Sequence, residues 1–90
     1  MSIYKNEREG MGVTYEVIEH LAVLEEYETG WRKELNIVNW NDNGPKYDIR
    51  DWSPTYEQMG RGVVLTREQI DKLTLGFMKH IVTERCSDVG

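Results

Sequence analysis

Residues Trp31 to Trp52, WRKELNIVNWNDNGPKYDIRDW, hold all three tryptophans of the chain and two strand-like runs separated by Asn-Asp-Asn-Gly-Pro. A turn of that composition between two such runs calls for a β-hairpin. Strand side chains alternate with period two, so the pairing register decides which residues share a face. A two-residue turn at Asn43-Gly44 would pair Trp40 with Tyr47 and Val38 with Ile49. A three-residue loop, Asp42 to Gly44, pairs Ile37 with Ile49 and Leu35 with Asp51 instead. It gathers Asn36, Trp40, Lys46, Arg50 and Trp52 on the opposite face, and Arg32 extends that face along the first run. The odd-numbered loop separates apolar from polar side chains and is the one expected. Trp31 falls on the Leu35 and Ile37 side, as core or rim.

The rest of the chain supplies a frame for this hairpin. YEVIEHLAVL, Tyr15 to Leu24, reads as a strand with apolar residues on both faces, hence well covered, ending at a turn near Thr29-Gly30. Pro54 starts a loop that Gly60 closes, and Arg61 to Leu65 is a short fourth strand. Thr66 and Gln69 have the spacing of a capping box, so a helix should run from about Arg67 to Glu84. On it Ile70, Leu73, Phe77 and Ile81 form one apolar stripe, and Leu75, Met78 and Val82 form a second beside it. The first is enough to lie on one sheet. The second points to a partner, most simply the same helix of another subunit. Residues 1–12 are expected to be a mobile arm, 13–85 the domain, and 86–90 a short tail.

Ninety residues make one domain, and a chain of this size buries only roughly 60–65% of the surface its unfolded form exposes. The only cysteine, Cys86, excludes an internal disulfide and reads as an inert thiol in a reducing compartment. No apolar run approaches the ~20 residues of a membrane span, and the charged start MSIYKNEREGMG is no signal peptide, so a soluble, cytoplasmic protein is expected. The net charge of −5 argues against coating duplex DNA by electrostatics alone. The charge is uneven, however. Residues 31–67 carry six cations against five acids, and the remainder five against eleven, so a polyanion is steered toward the hairpin.

Aromatic rings interleaved with cations on a sheet face suit an unstacked single strand, with bases on the rings and phosphates on Lys and Arg. Duplex grooves favour an inserted helix instead. The alternative, tryptophans in the core under a solvated charged face, is weakened for Trp40 and Trp52 by their parity. Enzyme chemistry finds little support. His20 and His80 lie on different elements without metal-ligand spacing, Asp48 and Asp51 face opposite sides of one strand, and Gly60 and Gly62 precede a strand rather than a helix. No cofactor, metal or small-molecule substrate is expected.

The run Tyr47-Asp48-Ile49-Arg50-Asp51-Trp52, followed by Met59-Gly60-Arg61-Gly62-Val63-Val64-Leu65-Thr66 and an amphipathic helix, resembles the single-stranded-DNA-binding domain of the transcriptional coactivator family typified by positive cofactor four. The ELN and VNWN runs and PKYDIRDWSP are similar to its small bacterial YdbC-type members, and the resemblance covers roughly Tyr15 to Leu73. It implies an α+β fold, a four-stranded antiparallel sheet followed by one C-terminal helix, in a homodimer joined largely through those helices. It also implies a grip on single-stranded DNA largely independent of base sequence. By position Arg50 matches the strand arginine that meets nucleic acid, Trp40 and Trp52 fall near the family's aromatics, and Arg61 matches the basic residue before the fourth strand. Gly44 departs from the pattern, standing where eukaryotic members have lysine.

The function expected is therefore binding of single-stranded DNA, with single-stranded RNA left open, in an accessory role in transcription regulation, replication or repair. Trp40 and Trp52 would stack bases, Arg32, Lys46, Arg50 and Arg61 would meet phosphates, and Asn36 would assist. Leu75, Met78 and Val82 would join the dimer. The rival is a protein-interaction module that takes an extended peptide on the same face.

Overall fold

The computed structural model describes residues 2–6 and 13–87, with side chains as far as Arg85. Five strands lie in chain order across one antiparallel sheet: β1 (Tyr4–Asn6), β2 (Tyr15–Glu26), β3 (Arg32–Trp40), β4 (Pro45–Trp52) and β5 (Met59–Leu65). A single helix, α1 (Arg67–Ser87), follows. The strand beyond the expected four is β1, inside the segment expected to be a mobile arm. Tyr4 pairs opposite Val17 and Asn6 opposite Tyr15, and the Tyr4 ring stacks on Tyr15 at 5.8 Å. One aromatic side chain thus anchors an edge strand in a stretch of otherwise low apolar content. Residues 7–12 of the expected arm, the Cys86 side chain and residues 88–90 of the expected tail lie outside the described residues.

The hairpin register differs from the expected one by two residues. Leu35 faces Ile49 and Ile37 faces Tyr47, where Leu35 with Asp51 and Ile37 with Ile49 had been expected. The turn is longer than three residues because Asn41 and Asp42 adopt left-handed backbone, φ 51° and 58°, as does Gly44 at 98°. Asn and Asp tolerate that region better than other side chains, and Gly has no penalty there. Polar side chains close the turn: Gly44 N donates to Asn39 Oδ1 at 3.0 Å, and Thr14 N donates to Asn41 Oδ1 at 2.9 Å. A shift of two leaves side-chain parity intact, so Asn36, Trp40, Lys46, Arg50 and Trp52 still share one face.

That face is the inside of a curled sheet. β2 carries register shifts after Val17, His20 and Val23, and the β4–β5 ladder carries another between Arg50 and Trp52. Such bulges bend a strand and increase its twist. Tyr15, Val17, Val38 and Trp52 are buried there, flanked by Tyr4, Trp40, Tyr56 and Met59. No helix covers them, so the sheet has closed on its own side chains. The far half of β2 is not covered as expected: Leu21, Val23 and Leu24 are exposed.

The outer face is apolar and open. Adjacent strands place Ala22, Leu35, Ile49 and Val63 in one row and Ile37, Tyr47 and Leu65 in the next. The helix starts as expected, with reciprocal bonds from Gln69 N to Thr66 Oγ1 (3.2 Å) and from Thr66 N to Gln69 Oε1 (2.9 Å). It then leaves the sheet. Of the stripe expected to lie on the sheet only Ile70 is half-buried, while Phe77 is 59% exposed and, on the second stripe, Val82 61%. The correction has a geometric cause: α1 touches chiefly β4 and β5 and projects beyond them, giving extents of 59 × 32 × 22 Å. The radius of gyration, 16.2 Å, exceeds the about 12 Å of a compact chain of this length.

The aromatic cluster leaves a titration signature. Burial pushes the Tyr15 phenol up to about 12, with Tyr4 adding to the effect. Burial likewise pushes Tyr56 up to about 12, helped by its hydrogen bond to, and repulsion from, Glu34. An acid whose folded value is raised contributes stability that is complete below its ordinary value of 10 and is lost as pH climbs through about 12. Ultraviolet titration should show a late phase that disappears in Tyr15→Phe and Tyr56→Phe. A single phase near the ordinary value would contradict this packing.

Candidate nucleic-acid interface

Two fully buried carboxylates organise the inner face. Glu34 and Asp48 have no exposed surface, and Asn36 is equally enclosed between them. An unpaired buried charge would cost several kcal/mol, so each acid must be surrounded by donors. Around Glu34, Oε1 accepts from Tyr56 Oη at 2.9 Å and Asn36 Nδ2 at 3.0 Å. Arg32 Nη2 stands 2.9 Å from Oε2, too oblique for a good hydrogen bond but close enough for the charges to pair. His20 Nδ1 lies 2.8 Å from Asn36 Oδ1 and 3.2 Å from Glu34 Oε1. Both neighbours are acceptors, so Nδ1 carries a proton.

Around Asp48 the donors are the two residues most suited to a single strand. Arg50 Nε donates to Oδ1 at 2.7 Å and to Oδ2 at 3.0 Å, and Trp40 Nε1 donates to Oδ2 at 3.2 Å. The Arg50 guanidinium lies 4.5 Å from the Trp40 ring centre, within cation–π range. Arg50 Nη1 also donates to Gly60 O at 3.3 Å. Nη2 makes no bond among the described residues, and 13% of the side chain is exposed. Gly62, opposite Arg50, makes room for this arrangement. A Cβ at that position would come within 2.3 Å of Arg50 Cβ and of Ile49 O. The Gly-Arg-Gly run inside β5 is therefore a slot for an arginine and not a phosphate loop.

The face collects Asn36, Trp40, Lys46, Arg50, Trp52 and Arg32, but their exposure separates them. Arg32 remains one-third exposed, and Trp40 and Lys46 are half-buried. Trp52 is 0% exposed, stacked on Trp40 at 6.2 Å and edge-on to Tyr56 at 5.5 Å. It cannot offer a ring face to a base as expected, because the curled sheet wraps it in aromatic neighbours. Its Nε1 finds no acceptor among the described residues. Asn36 likewise has no surface to give a ligand and is spent on Glu34 and His20. Arg61 is exposed at the β5 bulge, outside the network. Trp31 sits half-buried at the sheet end with Tyr27, Thr29 and Asp51, on the rim.

His20, Glu34, Asp48 and Tyr56 were not singled out from sequence for this face. Glu34 and Asp48 share the even parity of Asn36 and Arg50, which was the signal available for them. Tyr56 had none: it lies in a loop with a left-handed backbone, φ 63°, held by Tyr56 N to Ser53 O at 3.0 Å and by Tyr15 Oη to its own carbonyl at 2.6 Å. No helix among the described residues is long and apolar enough to cross a membrane, and none of them form a cluster of three or more metal-ligating side chains.

The sequence that builds this face has relatives among known proteins. The chain is 46% identical over 56 residues to an uncharacterised protein of Treponema pallidum (strain Nichols). That match covers 62% of this chain and 66% of the relative, so the chain spans a little under two thirds of the relative's length. Residues 27–74 match the family described as Transcriptional Coactivator p15 (PC4). The matched segment starts at the β2–β3 turn and takes in the whole hairpin, the Gly-Arg-Gly slot and the start of α1, just over half of the chain. With Arg50, Trp40, Asp48 and Gly62 all inside it, this chain belongs to the transcriptional coactivator p15 (PC4) family.

Proposed function

We propose that this chain binds single-stranded DNA along the mouth of its curled sheet, largely independently of base sequence, as a non-catalytic accessory protein of transcription, replication or repair. The observation that carries the reading is the Arg50–Trp40 pair, a guanidinium 4.5 Å over an indole, with 13% of the arginine side chain at the surface to meet a phosphate. Arg32 and Lys46 lie on the same face and extend the cationic track. The two acids there are enclosed, so the surface a strand meets is dominated by cations. Trp52 supports Trp40 from behind in place of stacking a base itself, and Arg61 is a peripheral phosphate contact.

The protein acts as a homodimer in this reading. Leu75, Met78 and Val82 are exposed together with Phe77 and Ile81, and the sheet's outer face adds Val63. A single chain leaves these side chains in water, and neighbouring exposed apolar residues of this kind mark interaction surfaces. Gly76, with nothing within 4 Å of a would-be Cβ, leaves α1 a shallow place for a partner helix between Leu73, Phe77 and His80.

Fluorescence titration with oligo-dT tests the binding. Affinity should exceed that for duplex of equal length and fall with salt at about −0.7 per phosphate met, hence roughly −3 for Arg32, Lys46, Arg50 and Arg61. Trp40→Ala should cost on the order of 1–3 kcal/mol. Equal affinity for duplex, or no dependence on salt, would refute the reading. Sedimentation equilibrium should give twice the 10.6 kDa chain mass, and Phe77→Glu with Val82→Glu should give the chain mass. A wild-type monomer at micromolar concentration would remove the dimer.

A further inference from the structure

We infer that Asp48 is a positioning residue for single-strand binding, setting Arg50 and Trp40 in their binding arrangement through one carboxylate; this rests on the function proposed above. An acid in the middle of a face that receives a polyanion is at first sight a defect. Its charge opposes phosphate, and its burial has to be offset by donors. Yet Asp48 is wholly enclosed and spends both oxygens on the two side chains that the binding reading depends on. Oδ1 and Oδ2 receive Arg50 Nε, and Oδ2 also receives Trp40 Nε1. Left free, an arginine side chain samples many rotamers, and ordering it on binding costs affinity. With Nε held and Gly62 leaving no side chain in the way, the guanidinium lies over the indole at 4.5 Å.

The geometry separates this role from simple charge balance. Oδ2 meets both donors, and Oδ1 makes the shortest contact, 2.7 Å to Arg50 Nε. Asparagine has one acceptor oxygen, and with that oxygen at Oδ2 its amide nitrogen would face the Arg50 Nε donor at the place of Oδ1. Asp48→Asn therefore loses the short charge-assisted bond and sets two donors against each other, although its shape is nearly unchanged. A role limited to local charge predicts the opposite sign, because removing a negative charge from a phosphate-binding face should tighten the complex.

The experiment is oligo-dT binding by the full chain, wild type against Asp48→Asn and Asp51→Asn, with thermal melts of each. Asp51 is on the outer parity of the same strand and accepts from Tyr27 Oη at 3.1 Å, so its variant loses the same charge away from the network. The expected result is binding weakened roughly tenfold in Asp48→Asn, the scale of one charge-assisted hydrogen bond, and not weakened in Asp51→Asn. Equal or tighter binding by folded Asp48→Asn would overturn the assignment. Should that variant fail to fold, hydrogen exchange in the wild type decides. The Arg50 Nε–H and Trp40 Nε1–H protons should exchange more slowly than the Nε–H of exposed Arg61, and equal rates would overturn it. A wild-type chain that ignores oligo-dT would instead refute the single-strand reading, and the role of Asp48 with it.

Discussion

Everything on the inner face follows from enclosing two carboxylates, Glu34 and Asp48, where no water reaches them. Such groups are tolerable only when donors or an opposite charge surround them. Tyr56 and Asn36 donate to one acid while Arg32 pairs with its charge, and Arg50 and Trp40 donate to the other. Surrounding the acids therefore fixes the basic and aromatic groups of the face proposed to bind a strand. The same requirement accounts for the Tyr56 loop, whose left-handed residue is held from both ends so that its hydroxyl reaches Glu34. It also accounts for Gly62, without which Arg50 could not lie across β5.

The two sides of the sheet are consequently specialised. Curling by the β2 bulges closes the aromatic cluster without help from a helix. That leaves α1 and the outer rows around Ile49 and Val63 free of any intrachain duty, which suits a surface for association. The helix is long, well capped by Thr66 and Gln69, and apolar on two stripes, yet only its start is in contact with the sheet. In the function proposed above, binding and assembly would use opposite faces of one sheet and would not compete.

How much of this was legible from residue order depended on the range of the interaction. Local rules located the hairpin, the helix start and the Gly30 turn, because alternation, capping boxes and glycine act over a few residues. Parity placed Trp40, Lys46 and Arg50 on one face even though the register was two residues out, since a shift of two does not exchange faces. Exposure could not be read that way. Trp52 has the same parity as Trp40 but is enclosed, because curvature accumulates from bulges that have no clear residue signature. The anchoring of β1 by Tyr4 against Tyr15, and of the 53–58 loop by Tyr56 against Glu34, are contacts between distant segments and had no local signal. For the helix, the two stripes were visible, whereas the absence of a covering sheet depended on where β5 ends.

The most direct test of the central claim, that the strand lies on the inner face held by the buried acids, is a chemical-shift map of labelled protein titrated with oligo-dT. The largest changes should appear at the Trp40 indole N–H, the Arg50 Nε–H, the His20 ring and the Arg32 guanidinium, with Leu75, Phe77 and Val82 unmoved. Changes centred on α1 or on the outer row of Leu35, Ile49 and Val63, with Trp40 and Arg50 silent, would contradict it.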